Sequence, residues 1–141
     1  MRTLLLAMLC LVPLMVRAEV LTPESAKALA ERGELAIIDI RMPGEWAQTG
    51  VPEGALAIAL QDPSQQPRAG FVADVLEALG HDPDKPIALI CARGHRSAYA
   101  QQLLAQAGLT RVHDISEGML GGEYGPGWLQ RRLATEPCKA C

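Results

Sequence analysis

An apolar strand that ends on a cysteine is the feature that most constrains the fold of this chain. Ile87 to Ile90 form a short apolar run after Pro86, a pattern typical of a strand buried on both faces of a parallel sheet. Cys91 follows at its carboxyl end, and an apolar helical repeat then runs to Gly108. A strand that leads directly into a helix predicts an α/β unit, with Cys91 at the sheet edge where such folds bind ligands.

The loop after Cys91 has the composition of an anion site. We expect Ser97 to cap the following helix, whose first amide groups would attract negative charge. A thiol held there is expected to exist partly as thiolate, the form that attacks. A purely structural cysteine is the alternative, but it would need no anion site. The predicted binding residues are Ala92, Arg93, Gly94, His95, Arg96 and Ser97.

The charged residues near this loop receive separate interpretations. We expect Arg93 to face solvent and a substrate anion, Arg96 to brace the loop, and His95 to be exposed. Asp39 and Arg41 follow another strand at the same sheet edge. They either border the site or form a structural ion pair in which Arg41 also bonds Glu45 one turn later, and the structural role is favoured.

Strands and helices alternate along the rest of the chain. The apolar patterns predict strands at residues 35–40, 55–60 and 111–115, and helices that begin at residues 23, 43 and 71. Five glycines make the segment 118–127 irregular. This alternation implies parallel strand pairing and one α/β domain over residues 19–134.

Four short motifs, taken in order, resemble those of the rhodanese (sulfurtransferase) family. The resemblance implies a three-layer α/β sandwich with a mainly parallel five-stranded sheet flanked by helices. The motifs are Asp39-Ile-Arg41 with Glu45-Trp46, Gly50 to Ala55, the Cys91 to Ser97 loop, and Glu117 to Gly122 with Trp128.

The same resemblance implies an activity. Cys91 would take the outer sulfur of a small anionic donor, such as thiosulfate or a persulfide, and hold it as Cys91-S-SH. A thiol, including a protein thiol, or cyanide would then remove that sulfur. The loop amides and arginines would bind the persulfide and the donor, with no metal or organic cofactor. A binding module that uses the pocket without turnover is an alternative.

The length of the loop distinguishes this chain from cysteine-dependent phosphatases. Those enzymes place five residues between the nucleophile and the arginine, whereas four lie between Cys91 and Arg96. Where the phosphatase spacing would require arginine, the chain has Ser97. The shorter loop favours sulfur over a phosphoryl group.

The first 18 residues have the pattern of a signal peptide. A positive start is followed by a 13-residue apolar stretch, Leu4 to Val16, and by small residues around a cleavage site after Ala18. We therefore predict a periplasmic or secreted protein with no membrane association after cleavage. Its formal charge of −3 becomes more negative once Arg2 and Arg17 are removed, which argues against nucleic acid as a partner.

A C-x-x-C pair, Cys138 and Cys141, lies in the predicted tail at residues 135–141. In an oxidising compartment its simplest fate is a local disulfide in a mobile tail. A possible redox role is kept open, either as a resolving pair for the Cys91 persulfide or as a thiol-disulfide oxidoreductase in its own right. Metal capture and intermolecular bonding are further alternatives.

Overall fold

A computed structural model describes residues 19–139 and 141, so the predicted signal segment lies outside the described residues. Four strands form a parallel sheet in the order β3-β1-β4-β5, and two others form a small antiparallel sheet. In chain order the strands are β1 (Ala36–Asp39), β2 (Val51–Pro52), β3 (Leu56–Ala57), β4 (Ile87–Ile90), β5 (Val112–Asp114) and β6 (Thr135–Glu136).

Helices cover both faces of the parallel sheet, which confirms the predicted α/β sandwich. One apolar core lies between the sheet and α3 and α4, and a second contains residues of α1 and α5. No helix in the described part of the chain is both long and apolar enough to cross a membrane. The helices are α1 (Pro23–Glu31), α2 (Pro43–Thr49), α3 (Phe71–Ala78), α4 (His95–Gln106) and α5 (Gly127–Gln130).

The central strand β4 explains how one chain builds two cores. Its alternate side chains enter opposite cores, with Ile87 and Leu89 on the α3 and α4 side and Ala88 and Ile90 on the other. All four residues are fully buried, as the continuous apolar run predicts for a central parallel strand. The strand has the predicted bounds, and Cys91 follows it.

The strand register brings the polar residues at the strand ends together. Asp39 of β1 is opposite Ile90 of β4, and Leu89 is opposite Asp114 of β5. The carboxyl ends of the three strands therefore meet at one sheet edge, beside Cys91.

Two details of the sheet differ from the expectation. The parallel sheet has four strands, and at the place of a fifth there is a single parallel bridge between Val20 and Asp114. The strand predicted at residues 55–60 contracts to β3, because the backbone of residues 58–60 leaves the ladder while still bonding Asp39 and Ile40.

The predicted tail is also part of the folded structure. Thr135 and Glu136 form β6, which pairs with β2 and joins the segment after residue 134 to the domain. The pairing was not predicted because two-residue strands carry no periodic signal.

Candidate active site

Cys91 lies at the centre of the predicted loop and is nearly completely buried, with 1% of its surface exposed. Its Sγ accepts a hydrogen bond from the backbone N–H of Gly94 at 3.1 Å, and its thiol lies 3.5 Å from Ser97 Oγ. The loop therefore curves around the sulfur and directs a donor at it. An N–H donor in this position can stabilise an anionic group bound at the sulfur.

The prediction that Ser97 caps the helix is wrong. Helix α4 begins at His95, and its N-cap is Gly94, whose φ of 94° is a conformation that glycine adopts at little cost. Ser97 is buried in the first turn, where its hydroxyl donates to the Gly94 carbonyl at 3.1 Å. The helix N-terminus is consequently closer to Cys91 than the sequence indicated, which strengthens the anion site.

The glycine-rich segment after β5 closes over the loop through its backbone. The N–H of Met119 donates to the Cys91 carbonyl at 2.8 Å, and the N–H of Leu120 donates to the Ala92 carbonyl at 2.9 Å. A Cβ on Gly94 would collide with the Ser116 carbonyl oxygen. The close approach of the two backbones explains why residue 94 is a glycine, and it fixes the shape of the loop. We call this loop, residues 91–97, the cradle.

Arg93 and His95 occupy the exposed side of the cradle. Arg93 is exposed, as expected, but its Nη1 donates to the Gly121 carbonyl at 2.7 Å, which anchors the guanidinium to the glycine-rich segment. His95 is also exposed, and its Nε2 lies 3.7 Å from a carboxylate oxygen of Glu123. Its ring contacts Tyr124 edge-on, with centroids 6.3 Å apart. Residues 121–124 thus lie beside the loop and are candidates for substrate selection.

Arg96 forms two hydrogen bonds with the Glu45 carboxylate, at 2.8 and 2.7 Å. Burial raises the pKa of Glu45, but the bonds from Arg96 and from the Met42 N–H outweigh it, so the pKa is lowered overall. The ion pair connects the cradle to α2, 51 residues earlier in the chain. Arg96 therefore has the geometry expected of a residue that braces the loop.

Asp39 and Arg41 form a buried ion pair, and their contacts are those of a structural pair. Arg41 is 1% exposed and Asp39 is fully buried, and Arg41 Nε and Nη2 bond the carboxylate at 2.7 to 3.1 Å. The remaining donors bond Thr49 Oγ1 at 2.9 Å and the Gly50 carbonyl at 2.8 Å. The expected contact with Glu45 is wrong, because that carboxylate is occupied by Arg96. Each nitrogen of the Arg41 guanidinium has a protein partner.

Asp114 is a buried acidic residue at the site edge that sequence reasoning did not identify. Its Oδ2 accepts a hydrogen bond from Ser116 Oγ at 2.7 Å, while Oδ1 has no hydrogen-bond partner. Burial raises the pKa of Asp114, and the hydroxyls of Ser116 and Ser97 oppose this shift. Its position before the glycine-rich motif was the only available signal, because burial of an aspartate at a strand end cannot be read from one sequence.

Glu117, the first residue of the glycine-rich motif, holds that segment closed through contacts that the sequence did not predict. It accepts hydrogen bonds from Arg131 at 2.7 and 2.8 Å and from the N–H of Gly127 at 2.9 Å. A Cβ on Gly125 would lie 2.5 Å from the Glu117 carboxyl carbon. The glycines of this segment therefore make room for a buried carboxylate, and the segment keeps its position over the cradle.

Cys138 and Cys141 form a disulfide with their Cα atoms 5.6 Å apart. The disulfide lies in the wall of a groove of about 720 Å³ against α2, and no residue of the 91–97 loop lines that groove. Cys91 is the free cysteine of the described residues. The structure thus separates the pair from the Cys91 cradle.

The chain is similar to known proteins over most of its length. It is 29% identical to an uncharacterised protein of Rickettsia prowazekii over 97 residues, which are 69% of this chain and 79% of that protein. The crystal structure of Rv0390 from M. tuberculosis matches with a TM-score of 0.70 and 21% identity, covering 85% of this chain and 98% of the other. The polysulfide-sulfur transferase homodimer of Wolinella succinogenes matches with a TM-score of 0.61 and 24% identity, covering 86% and 80%.

A family model confirms the resemblance that the motifs indicated. The model described as Rhodanese-like domain matches residues 22–123, which include the whole Cys91 loop. The match ends before β6 and before the C-x-x-C pair. The chain belongs to the rhodanese-like domain family.

Proposed function

We propose that the protein is a sulfurtransferase that carries a sulfane sulfur on Cys91. One observation carries the proposal: the Cys91 sulfur is buried inside a short loop and accepts the Gly94 N–H at 3.1 Å, at the N-terminus of a helix. Membership in the rhodanese-like family supports it, and so does the name of the Wolinella structural relative, a polysulfide-sulfur transferase.

The reaction is a double displacement through a persulfide. With thiosulfate as donor, the Cys91 thiolate attacks the outer sulfur, a sulfur–sulfur bond forms, and sulfite leaves with the electron pair of the broken bond. Cyanide then attacks the outer sulfur of the persulfide, thiocyanate leaves, and the Cys91 thiolate returns. A thiol acceptor removes the sulfur in the same way and becomes a persulfide.

The cradle stabilises the charge that this cycle moves. The Gly94 N–H donates to the Cys91 sulfur, and α4 begins at the next residue, so the positive end of the helix is expected to stabilise the outer persulfide sulfur. The exposed Arg93 draws an anionic donor toward the loop, and Arg96, held by Glu45, keeps the loop in shape. Thiosulfate and cyanide react as anions, and a thiol acceptor reacts as its thiolate.

The test measures thiosulfate:cyanide transfer by the wild type and by Cys91→Ser. We expect thiocyanate formation by the wild type, and a rate at the uncatalysed background for the variant. Intact mass after thiosulfate treatment should rise by one sulfur atom in the wild type only. Background rate and unchanged mass in both proteins would reject sulfur transfer from this donor and favour a binding module.

A variant that lacks both tail cysteines tests the alternative that the protein is a thiol-disulfide oxidoreductase. Changing both Cys138 and Cys141 to serine should leave thiosulfate:cyanide transfer within about twofold of wild type, because neither residue lies in the cradle. A rate that survives Cys91→Ser but is lost in the double variant would identify the C-x-x-C pair as the active centre.

The proposed location is the periplasm or the extracellular space. The support is the signal-peptide pattern of residues 1–18. Expression of the full chain followed by N-terminal sequencing of the exported fraction tests it, and we expect the mature protein to begin at Glu19. Retention of the protein in the cytoplasm with an intact leader would contradict the proposal.

A further inference from the structure

We propose that the Cys138–Cys141 disulfide is a second reaction centre, which exchanges with apolar thiols bound in the groove on α2. This activity is independent of Cys91 and of sulfane-sulfur transfer. We name this cavity the α2 groove. Among its lining residues are Pro43, Trp46 and Ala47 of α2, opposite Pro137 and the two cysteines.

The position of the disulfide makes it accessible to a reagent. Cys141 is exposed and Cys138 is half-buried, and both line the α2 groove. Exposed disulfides are the ones that are readily reduced, whereas buried structural disulfides resist it. A groove of about 720 Å³ can hold a drug-sized ligand.

A purely structural role explains the disulfide poorly. It joins residues three apart in sequence, so it connects no two elements of the fold, and its short loop restrains the unfolded chain weakly. The segment before it is already held, because the Ala134 carbonyl accepts bonds from Trp128 Nε1 at 3.0 Å and from the Glu53 N–H at 3.2 Å. The chain is thus anchored to the domain before Cys138 is reached.

Strand β6 fixes the direction in which the pair faces. It pairs with β2, and the Glu136 carboxylate accepts the Gly54 N–H at 3.1 Å and binds Lys139 Nζ at 2.9 Å. A Cβ on Gly50 would lie 2.6 Å from the Glu136 carbonyl oxygen, so the strand lies directly against the end of α2. This contact places the pair beside the apolar face of α2.

The lining of the α2 groove identifies the class of substrate. Pro43, Ala47 and Pro137 are exposed and uncharged, and Trp46 contributes an aromatic surface at the base. The polar side chains of the lining are those of Thr49, Thr135 and Glu136. The Glu136 carboxylate is paired with Lys139, which lies outside the lining. The groove therefore suits a thiol attached to an apolar group, such as a benzyl thiol or a cysteine flanked by apolar residues.

The exchange balances without any other reagent. A bound thiolate attacks the exposed sulfur of Cys141, a mixed disulfide forms, and Cys138 leaves as a thiolate that takes up a proton. A second thiolate then attacks the substrate sulfur of the mixed disulfide, and Cys141 leaves as a thiolate. Two thiols have lost two electrons and two protons to the pair, and the reverse reaction with an external disulfide restores it.

The test follows reduction of the pair in a Cys91→Ser background, so its result does not depend on the proposed sulfur transfer. The probes are benzyl mercaptan and 2-mercaptoethanol, and the new thiols are counted by alkylation and intact mass. Because the groove buries the phenyl ring, we expect reduction by benzyl mercaptan to be about tenfold faster. Equal rates, or a pair that neither thiol reduces, would overturn the proposal.

Two neighbouring residues on α2 provide the matched variants. Ala47 lines the groove and Gln48 does not, although both are exposed. Ala47→Arg should remove most of the roughly tenfold preference for benzyl mercaptan and leave reduction by 2-mercaptoethanol unchanged, whereas Gln48→Arg should change neither. The same preference for benzyl mercaptan in both variants would show that the thiol does not bind in the α2 groove.

Competition by an unreactive ligand, in the protein without a groove substitution, gives a second measurement. Benzyl alcohol, which cannot exchange, should slow reduction by benzyl mercaptan and not by 2-mercaptoethanol. This result would support the proposal even if the Ala47 variant failed to fold. An equal effect of benzyl alcohol on both reactions would contradict it.

Discussion

Arg96 and Glu45 form a two-point ion pair, at 2.8 and 2.7 Å, that joins the Cys91 loop to helix α2. Both side chains are less than one third exposed, at 24% and 30%, so solvent screens the pair only in part. The same helix lines the groove of the Cys138–Cys141 disulfide with its other residues. Helix α2 is therefore the element that two chemically distinct parts of the molecule share.

The first prediction concerns this ion pair. Glu45→Gln keeps the size of the side chain and removes its charge, so we expect a loss of about 1–2 kcal/mol of stability at neutral pH. Sulfur transfer should fall about tenfold, because Arg96 no longer fixes the loop. Thermal unfolding and kcat/KM for thiosulfate measure the two effects.

The pH dependence of the same variant has a definite sign. The lowered pKa of Glu45 means that the folded state favours the carboxylate, so its stabilisation is present above the unfolded pKa and is lost as pH falls through the folded pKa. The difference from wild type should therefore shrink in acid. Glu34→Gln, in the exposed pair with Arg32, is the control and should change neither stability nor activity appreciably. A comparable loss in that control would refute a special role for Glu45.

The second prediction concerns Gly94, whose N–H donates to Cys91 Sγ. Gly94→Ala adds a Cβ that collides with the Ser116 carbonyl, at a φ of 94°. We expect it to destabilise the protein by at least about 2 kcal/mol more than Gly33→Ala, whose φ is 70° but whose added Cβ meets no atom within 4 Å. Chemical denaturation compares the two variants. Equal losses in the free energy of unfolding would show that the positive φ alone, and not the collision, destabilises Gly94→Ala.

The third prediction uses Asp114, whose burial raises its pKa. A raised folded pKa means that the folded state binds the proton more tightly, so stability falls as pH rises from the unfolded pKa to the folded pKa. Asp114→Asn should raise stability at neutral pH by about 1 kcal/mol, on the scale of a buried unsatisfied group, and the gain should disappear in acid.

An aspartate with the opposite shift is the control for that experiment. Bonds from Ser64 and from the Gln66 N–H lower the pKa of the exposed Asp62, so Asp62→Asn should lower stability at neutral pH. Urea denaturation at several pH values measures both variants. The same sign for the two substitutions would refute the assignment of burial as the cause at Asp114.

The fourth prediction separates a structural from a substrate role for the buried pair. Asp39→Asn leaves Arg41 buried without its counter-ion, and we expect a loss of about 3–5 kcal/mol. In the protein that remains folded, the KM for thiosulfate should be unchanged, since every guanidinium nitrogen is bonded inside the protein. A raised KM with little loss of stability would place Arg41 at the substrate. Glu24→Gln, in a more exposed pair with Arg131, should cost less than about 1 kcal/mol.

Local patterns in the sequence predicted the region around Cys91 well. The uninterrupted apolar run of β4, the cysteine after it and the helical repeat beyond it are consecutive in the chain, so their geometry follows from short-range rules. The helix start was missed by three residues because Ser97 is a good capping residue, whereas the actual cap is Gly94 in a left-handed conformation.

Partners that are distant in sequence could not be predicted in this way. Glu45 is one helical turn from Arg41, so a local contact was expected, but Asp39 satisfies Arg41 and leaves Glu45 to Arg96. Which carboxylate takes which arginine depends on where the strand register places β1 beside β4. Pairing of this kind is a property of the assembled sheet.

The sequence by itself determined the class of fold and the small, positively charged loop around Cys91, because each depends on residues that are neighbours along the chain. Only the tertiary structure decided that the Ser97 hydroxyl lies beside the Cys91 sulfur and that Arg96 joins the loop to α2 through Glu45. It also decided that the Cys138–Cys141 pair lines a separate groove. The physical reason is that these contacts join distant segments, and they form only when both apolar cores are packed and the carboxyl ends of the strands meet at one edge.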